Sequence, residues 1–416
     1  MSLRGAYVFL AAGKAPLKKA GLYSNELGAK QLTKSTPTES TSITSTSTES
    51  PAFLCEQLIT YLGNKRTLLG FIGEAVAAVK HQLGKDRIRV LDLFAGSGVV
   101  SRYLKQHAEL LVCNDFEQYA EVINRCYLSN ASELNIPELQ AAYAQITARL
   151  GSEELNPGII AKNYAPLDDT NIQPGERVFY TTRNAAYLDT ARQLIETLPD
   201  EMRHFFLAPL LAEASVHANT AGVFKGFYKD ARTGLGCFGG SNGDALSRIT
   251  ADIALPFPIW SAFDCPVDVR RQDALYAAHD IASEHGRLDL AYLDPPYNQH
   301  PYGSNYFLLN VLVRNRLPAS VSAVSGIPTD WQRSEFNKRT GAMQAFRRVV
   351  EALDTRFLLV SFNSEGFISR EDMVKYLSSI GRIEVLESRY NTFRGSRNLR
   401  GRSIHLTEYL YLVERS

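Results

Sequence analysis

A chain of 416 residues, 45% hydrophobic and 21% charged, is long enough for a catalytic body plus a second module and has an ordinary globular composition. A formal charge of +1 says little in total, so the distribution of charge matters more. Five scattered cysteines without a CxxC pair indicate neither a zinc site nor a disulfide framework and suit a reducing cytoplasm, and no apolar run approaches the ~18 residues of a membrane span.

At the N-terminus, Arg4 precedes AYVFLAA, an apolar run too short for a signal peptide, and LKKAG follows directly. Residues 34–50 are almost wholly Ser, Thr and Glu and cannot bury enough surface to fold. The stretch 1–50 is therefore expected to be a disordered arm, with the folded part starting near Phe53. YLGNKRTLLGFIGEAVAAVKHQL (61–83) reads as a polar turn and an amphipathic helix with Leu68, Ile72, Ala75 and Val79 on one face. In RIRVLDLFAGSGVVSRYLK (87–105), VLDLF is a buried strand, AGSG a tight loop and VVSRYLK the start of a helix. That order turns main-chain N–H groups toward a bound ligand. The next strand, ELLVCND (109–115), ends in Asp115, where nucleotide-binding sheets hold a ribose hydroxyl pair. The loop pattern is FxGxG rather than GxGxxG or GxxxxGKS, which favours an adenosine-containing ligand without pyrophosphate, such as S-adenosylmethionine, over a dinucleotide. Taken alone, the loop is equally compatible with a plain packing turn.

Residues 130–265 break the βα alternation with mostly helical sequence. QAAYAQITARL, AAYLDTARQLIETL and MRHFFLAPLLAEASVHA (202–218) read as helices. The glycine-rich stretch 223–249 interleaves aromatics with Lys225, Lys229, Arg232 and Arg248, which suits phosphate contact and base stacking but also an ordinary surface loop. Alternation resumes with a strand at 266–271, Asp273 and a helix. LDLAYL (288–293) is then a short, β-prone run expected at the centre of a parallel sheet, stopped by Pro295 and Pro296, which lack N–H donors. Asp294 thus stands at the carboxyl end of that strand, where open α/β sheets bind ligands. Asp115, Asp273 and Asp294 are three carboxylates at strand tips on one edge. RFLLVSFN is a further strand, and 382–415 holds two β-rich runs around Arg394, Arg397, Arg400 and Arg402, a cluster without intervening acids whose natural partner is a polyanion.

The order YLGNK, DLFAGSG, a large insert and DPPY resembles the Dam-like class of N6-adenine DNA methyltransferases over most of 54–130 and 266–416. The resemblance implies an α/β, Rossmann-like S-adenosylmethionine-dependent sheet with a terminal antiparallel hairpin. It divides the chain into a catalytic domain (51–129 and 266–416) and an inserted target-recognition region (130–265). Tyr61, Gly63, Asn64, Lys65, Asp92, Phe94, Gly96, Gly98, Asp115 and Asp273 are implied to hold S-adenosylmethionine, although Asp273 is equally placed to meet the target base. Asp294, Pro295, Pro296 and Tyr297 are implied to do the chemistry. Asp294 and the Pro295 carbonyl accept hydrogen bonds from the adenine amino group, and Tyr297 stacks on the base once it leaves the duplex. Lys225, Lys229 and the four arginines are assigned to DNA. Expected partners are double-stranded DNA and a separately encoded restriction endonuclease, with a monomeric, cytoplasmic protein and no metal. Alternatives are a cytosine-N4 or RNA-adenine amino-methyltransferase and a DNA-binding homologue that no longer methylates.

Overall fold

The structure, a computed structural model, describes residues 48–152, 154–240, 243–299, 301–391 and 405–415. Its frame is a seven-stranded sheet of order β3-β2-β1-β4-β5-β7-β6. The strands are β1 (Ile88–Asp92), β2 (Ala108–Asp115), β3 (Val267–Arg271), β4 (Leu288–Leu293), β5 (Thr355–Asn363), β6 (Gly381–Asn391) and β7 (His405–Arg415). The first five are parallel to their neighbours, and β7 enters antiparallel between β5 and β6. This is the expected Rossmann-like sheet closed by an antiparallel hairpin. LDLAYL is its fourth and central strand, pairing Val90 with Leu290 on one side and Phe357 with Leu290 on the other.

Strand periodicity of two divides the sheet's apolar side chains between its faces. Leu91, Leu93, Ala291, Leu293, Leu358 and Val360 pack on one face, while Val90, Leu290, Tyr292, Phe357 and Leu359 pack on the other. The second face is covered by α1 (Leu69–Leu83) and α2 (Val99–Lys105), where Ile72, Ala75 and Val79 are buried as the sequence pattern predicts. Helices α7 (Ala274–His285), α9 (Ala342–Ala352) and α10 (Arg370–Leu377) supply the apolar cover of the first. Layers on both sides explain why the central strands are continuously apolar.

Between β2 and β3 the regular structure among the described residues is helical, chiefly α4 (Ile136–Ser152), α5 (Thr182–Glu196) and α6 (Asp200–Val216), with long irregular stretches at 165–181 and 217–240. These three helices share one apolar core with α3 (Gln118–Leu128) and α8 (Phe307–Arg314), the helices that follow β2 and the DPPY turn. Leu308 and Leu312 of α8 and Tyr119 of α3 therefore pack among Phe206, Leu210 and Leu188 of α5 and α6.

The folded body begins earlier than expected. Glu49 is buried and accepts from the Ser261 hydroxyl and, at 3.2 Å, from the Ala262 N–H. An acid in a Ser/Thr-rich run gives no local sign of such a distant partner. Residues 1–47 of the expected arm lie outside the described residues. Among the described residues no helix is long and apolar enough to cross a membrane.

Candidate active site

β1 and β4 are adjacent, and from them the chain runs outward in opposite directions, through β2 and β3 on one side and β5 on the other. The crevice at such a switch point opens at the carboxyl ends of the strands. A cleft of about 950 Å³, its open mouth included, lies there. Its walls include Tyr61, Gly63, Asn64, Lys65, Asp92, Phe94, Gly96, Asp115, Asp273, Asp294 and Pro296. Sequence positions 61 to 296 are thus gathered around one space.

On the β1–β2 side the cleft is shaped by main-chain hydrogen bonds. Gly96 has φ +53°, and a Cβ there would lie 2.8 Å from the Tyr61 ring, so only glycine lets that ring rest on the loop. Asp115 ties the loop down, accepting from the Gly96 N–H at 2.8 Å and the Glu117 N–H at 2.9 Å. Burial raises the Asp115 carboxyl, and these donors draw it back. Gly98 serves differently: with φ +79° it starts α2, and a side chain there would run into Asn124 of α3. Asp92 ends β1 with Oδ2 accepting from the Ser101 hydroxyl at 2.6 Å, while its buried Oδ1 has no hydrogen-bond partner. Burial, only partly offset by Ser101 and reinforced by Asp294 and Asp115, pushes this carboxyl up to about 7. Asp273 caps α7, accepting from the Leu275 N–H at 3.0 Å.

On the β4 side the site is made of charged side chains from distant segments. Lys65 Nζ lies 3.2 Å from Asp294 Oδ1 and 2.7 Å from Glu408 Oε1 of β7. The Ser361 hydroxyl donates to the same Glu408 oxygen at 2.5 Å. Burial pushes the Asp294 carboxyl up to about 6, with Lys65 pulling down and Glu408 pushing up. Burial alone would lower the Lys65 ammonium, but Asp294 and then Glu408 hold it well above the usual lysine value. Pro295 is buried behind Asp294. The Tyr297 carbonyl accepts from the Phe367 N–H at 2.9 Å, and its ring meets Phe362 edge-on at 6.2 Å, with its hydroxyl beside Gly63.

Several site residues escaped the sequence reading. Tyr306 donates to nothing distant by pattern, yet its hydroxyl accepts from the Leu62 N–H at 2.7 Å, and Tyr302 donates to the Leu62 carbonyl at 3.2 Å. Tyr61 stacks on both rings, at 5.0 and 4.8 Å. Together they fix the YLGNK turn against the helices after DPPY. Gln332, Ser334, Phe336 and Asn337 line the cleft from a loop whose sequence carried no signal. Glu117, also lining it, is pushed up to about 7 by burial despite the Asn310 amide it accepts from. Glu408 did carry a signal: it shares the strand parity of buried Leu410 and Leu412, an acid where an apolar residue is expected.

Of the residues assigned to nucleic acid, Lys225 and Lys229 are exposed on the 223–236 loop, which Phe224 anchors by donating to the Asn305 carbonyl at 2.7 Å beside the cleft. Arg248 instead turns inward and donates to the main-chain carbonyls of Val216, Ala218 and Thr220, so it is spent on structure rather than on phosphate. Arg394, Arg397, Arg400 and Arg402 lie outside the described residues. Asp268, Glu284 and His285 cluster on the surface, where Arg270 pairs with both acids.

A family model described as D12 class N6 adenine-specific DNA methyltransferase matches residues 61–235. The chain is 27% identical to Type II methyltransferase M.NlaIII of Neisseria lactamica, over 86% of this chain and 99% of that protein. It is 26% identical to Type II methyltransferase M.CviAII of Paramecium bursaria Chlorella virus 1, over 85% of this chain and 98% of that protein. Modification methylase StsI of Streptococcus sanguinis is 26% identical over 85% of this chain, which spans 52% of that larger protein.

Proposed function

We infer that this chain, which belongs to the D12 class of N6 adenine-specific DNA methyltransferases, uses S-adenosylmethionine to methylate adenine at one DNA sequence as the modification half of a restriction–modification pair. The observation that carries the reading is Asp294 at the carboxyl end of the central strand, in the same cleft as the FxGxG loop.

The cleft fits the proposed donor. The buried, unpartnered Asp92 Oδ1 suits the ammonium of a methionine moiety. Asp115 and Glu117 are acids for the ribose hydroxyls. Asp273 lies three strands from Asp294, roughly 14 Å at ~4.8 Å per strand, which favours the cofactor's adenine over the target base as its contact. S-adenosylmethionine, when bound, supplies a methyl group on a positively charged sulfur that departs as a neutral thioether.

The adenine N6 lone pair is delocalised into the ring, so the chain must localise it. Asp294 accepts a hydrogen bond from the amino group and favours a pyramidal nitrogen, and the Pro295 carbonyl assists. The rigid Pro295-Pro296 pair keeps this turn from yielding. On taking up the methyl group the amino nitrogen would shed one proton, and Asp294, in the same cleft, would be the base that receives it. Tyr297 offers the extruded base a ring that offsets part of the few kcal/mol of unstacking. Region 130–265 and the arginines between β6 and β7 hold the duplex, a role supported by exposed Lys225 and Lys229. The five free thiols suit a cytoplasmic setting.

Incubation with methyl-labelled S-adenosylmethionine and mixed DNA and RNA, followed by nucleoside analysis, tests this. N6-methyladenine in DNA at one sequence is expected. Label confined to RNA or to N4-methylcytosine, or no label at all, would refute it.

A further inference from the structure

The catalytic carboxylate does not have its cation to itself. Lys65, 5% exposed, bridges Asp294 and Glu408 and lies closer to Glu408, 2.7 against 3.2 Å. Glu408 is fully buried, and Ser361 donates to the very oxygen that Lys65 holds. Two carboxylates thus share one ammonium in a site almost closed to water. Burying charge without full compensation costs stability, and folding does not require it here. A leucine at 408 would continue the buried stripe of Leu410 and Leu412 on the same face of β7. Lys65 and Glu408 are the charged groups that act on Asp294; Asp294 in turn raises Asp92 from β1, Tyr292 of β4, Tyr297 of the turn and Tyr302 beyond it, and none of these is cationic.

We propose that Glu408 is a positioning residue for methyl transfer, drawing the Lys65 ammonium partly away from Asp294 so that Asp294 stays ionised yet keeps acceptor capacity for the adenine amino group. The inference rests on the reading of Asp294 as the acceptor of that group. A one-to-one Lys65–Asp294 pair would be shorter, and the ammonium would occupy the oxygen that must meet the substrate. With no Lys65 at all, Asp294 would hold its proton to higher pH and, once protonated, act as a donor. Glu408 sets the balance between these failures, and the Ser361 hydroxyl moderates Glu408 in turn. Because Glu408 approaches from β7, it makes no claim on the cleft itself; it is absent from the residues lining that space.

Full-length wild type, Glu408→Gln and Ser361→Ala separate this role from a structural one. Single-turnover methylation of DNA is measured between about pH 5 and 9, alongside cofactor affinity and thermal melting. Glu408→Gln removes a like charge and returns Lys65 to Asp294, so its acid limb moves down by about one pH unit. Its plateau rate falls about tenfold as Asp294 becomes a poorer acceptor, with cofactor affinity kept within about threefold. Ser361→Ala leaves Glu408 the stronger claimant on Lys65, so its limb moves up. Opposite shifts support the proposal. A missing or unmoved limb, or shifts of the same sign, overturns it. Where Glu408→Gln does not fold, Ser361→Ala decides alone, an upward shift supporting the role and an unmoved or downward one ending it. If wild type makes no N6-methyladenine, the functional reading fails; if it does and the limbs do not move as stated, only the Glu408 role fails.

Discussion

The two halves of the cleft are built by opposite means. Around the FxGxG loop, Asp115 fixes Gly96 and Glu117 through main-chain N–H groups, bonds that span only residues 96–117. Around Asp294, the contacts are between side chains drawn from residues 65, 294, 361 and 408. Main-chain donors held by one acid, Asp115, are less sensitive to pH and to side-chain change away from that acid and the glycines. A shared-ion network is sensitive to both. The proposed division of labour follows: a rigid half to hold the cofactor, a tunable half to act on the base.

Replacing the acid of the tunable half should have the largest effect. Asp294→Ala is expected to cost about 10³-fold or more in methyl transfer, with cofactor and DNA binding largely intact, because the role proposed for Asp294 is on the nucleophile. Activity within tenfold of wild type would erase the contrast. In the rigid half, Gly96→Ala sets a Cβ against the Tyr61 ring at a positive φ. It should weaken cofactor binding about tenfold, read by calorimetry, and leave the acid limb of the rate where it was; a moved limb would mean that the halves are not separable.

Asp92 sits between the halves, and its effect is on stability. A carboxyl whose pKa rises from 3.8 in the unfolded chain to about 7 in the fold binds protons more tightly when folded. Its contribution is therefore best below 3.8 and is lost as pH rises from there to about 7. Asp92→Asn should remove that loss, so the cofactor-free variant should melt at more nearly equal temperatures at pH 5 and pH 8 than wild type does. An unchanged gap would show that Asp92 is charged at no cost. The smallest effects belong to DNA contacts outside the cleft. Neutralising Lys225 and Lys229 should lower the salt slope of DNA binding by about two, and the same change at Arg394, Arg397 and Arg400 by about three. Slopes that do not change would remove these residues from the interface.

The sequence was most informative where structure is local. VLDLFAGSG, the acid closing the second strand and DPPY each encode a strand, its stop and the group beyond it within about ten residues, which is why they are legible in the sequence alone. Insert helices followed from 3.6-residue periodicity, although the periodicity did not reveal that their core is shared with α3 and α8. Arg248 misled because a guanidinium reads as exposed charge until the carbonyls it serves, 28 to 32 residues away, are known.

By itself the sequence determined the parallel sheet, its central strand, the glycine loop and the acid that stands beyond the strand's end. These depend on hydrophobic period, on proline's missing donor and on glycine's freedom of φ, all of which are properties of neighbouring residues. Only the tertiary structure decided which cation Asp294 meets and how firmly. That depends on β7 entering antiparallel beside β5 and bringing Glu408 to Lys65 across 343 positions of chain, a pairing that no local rule encodes.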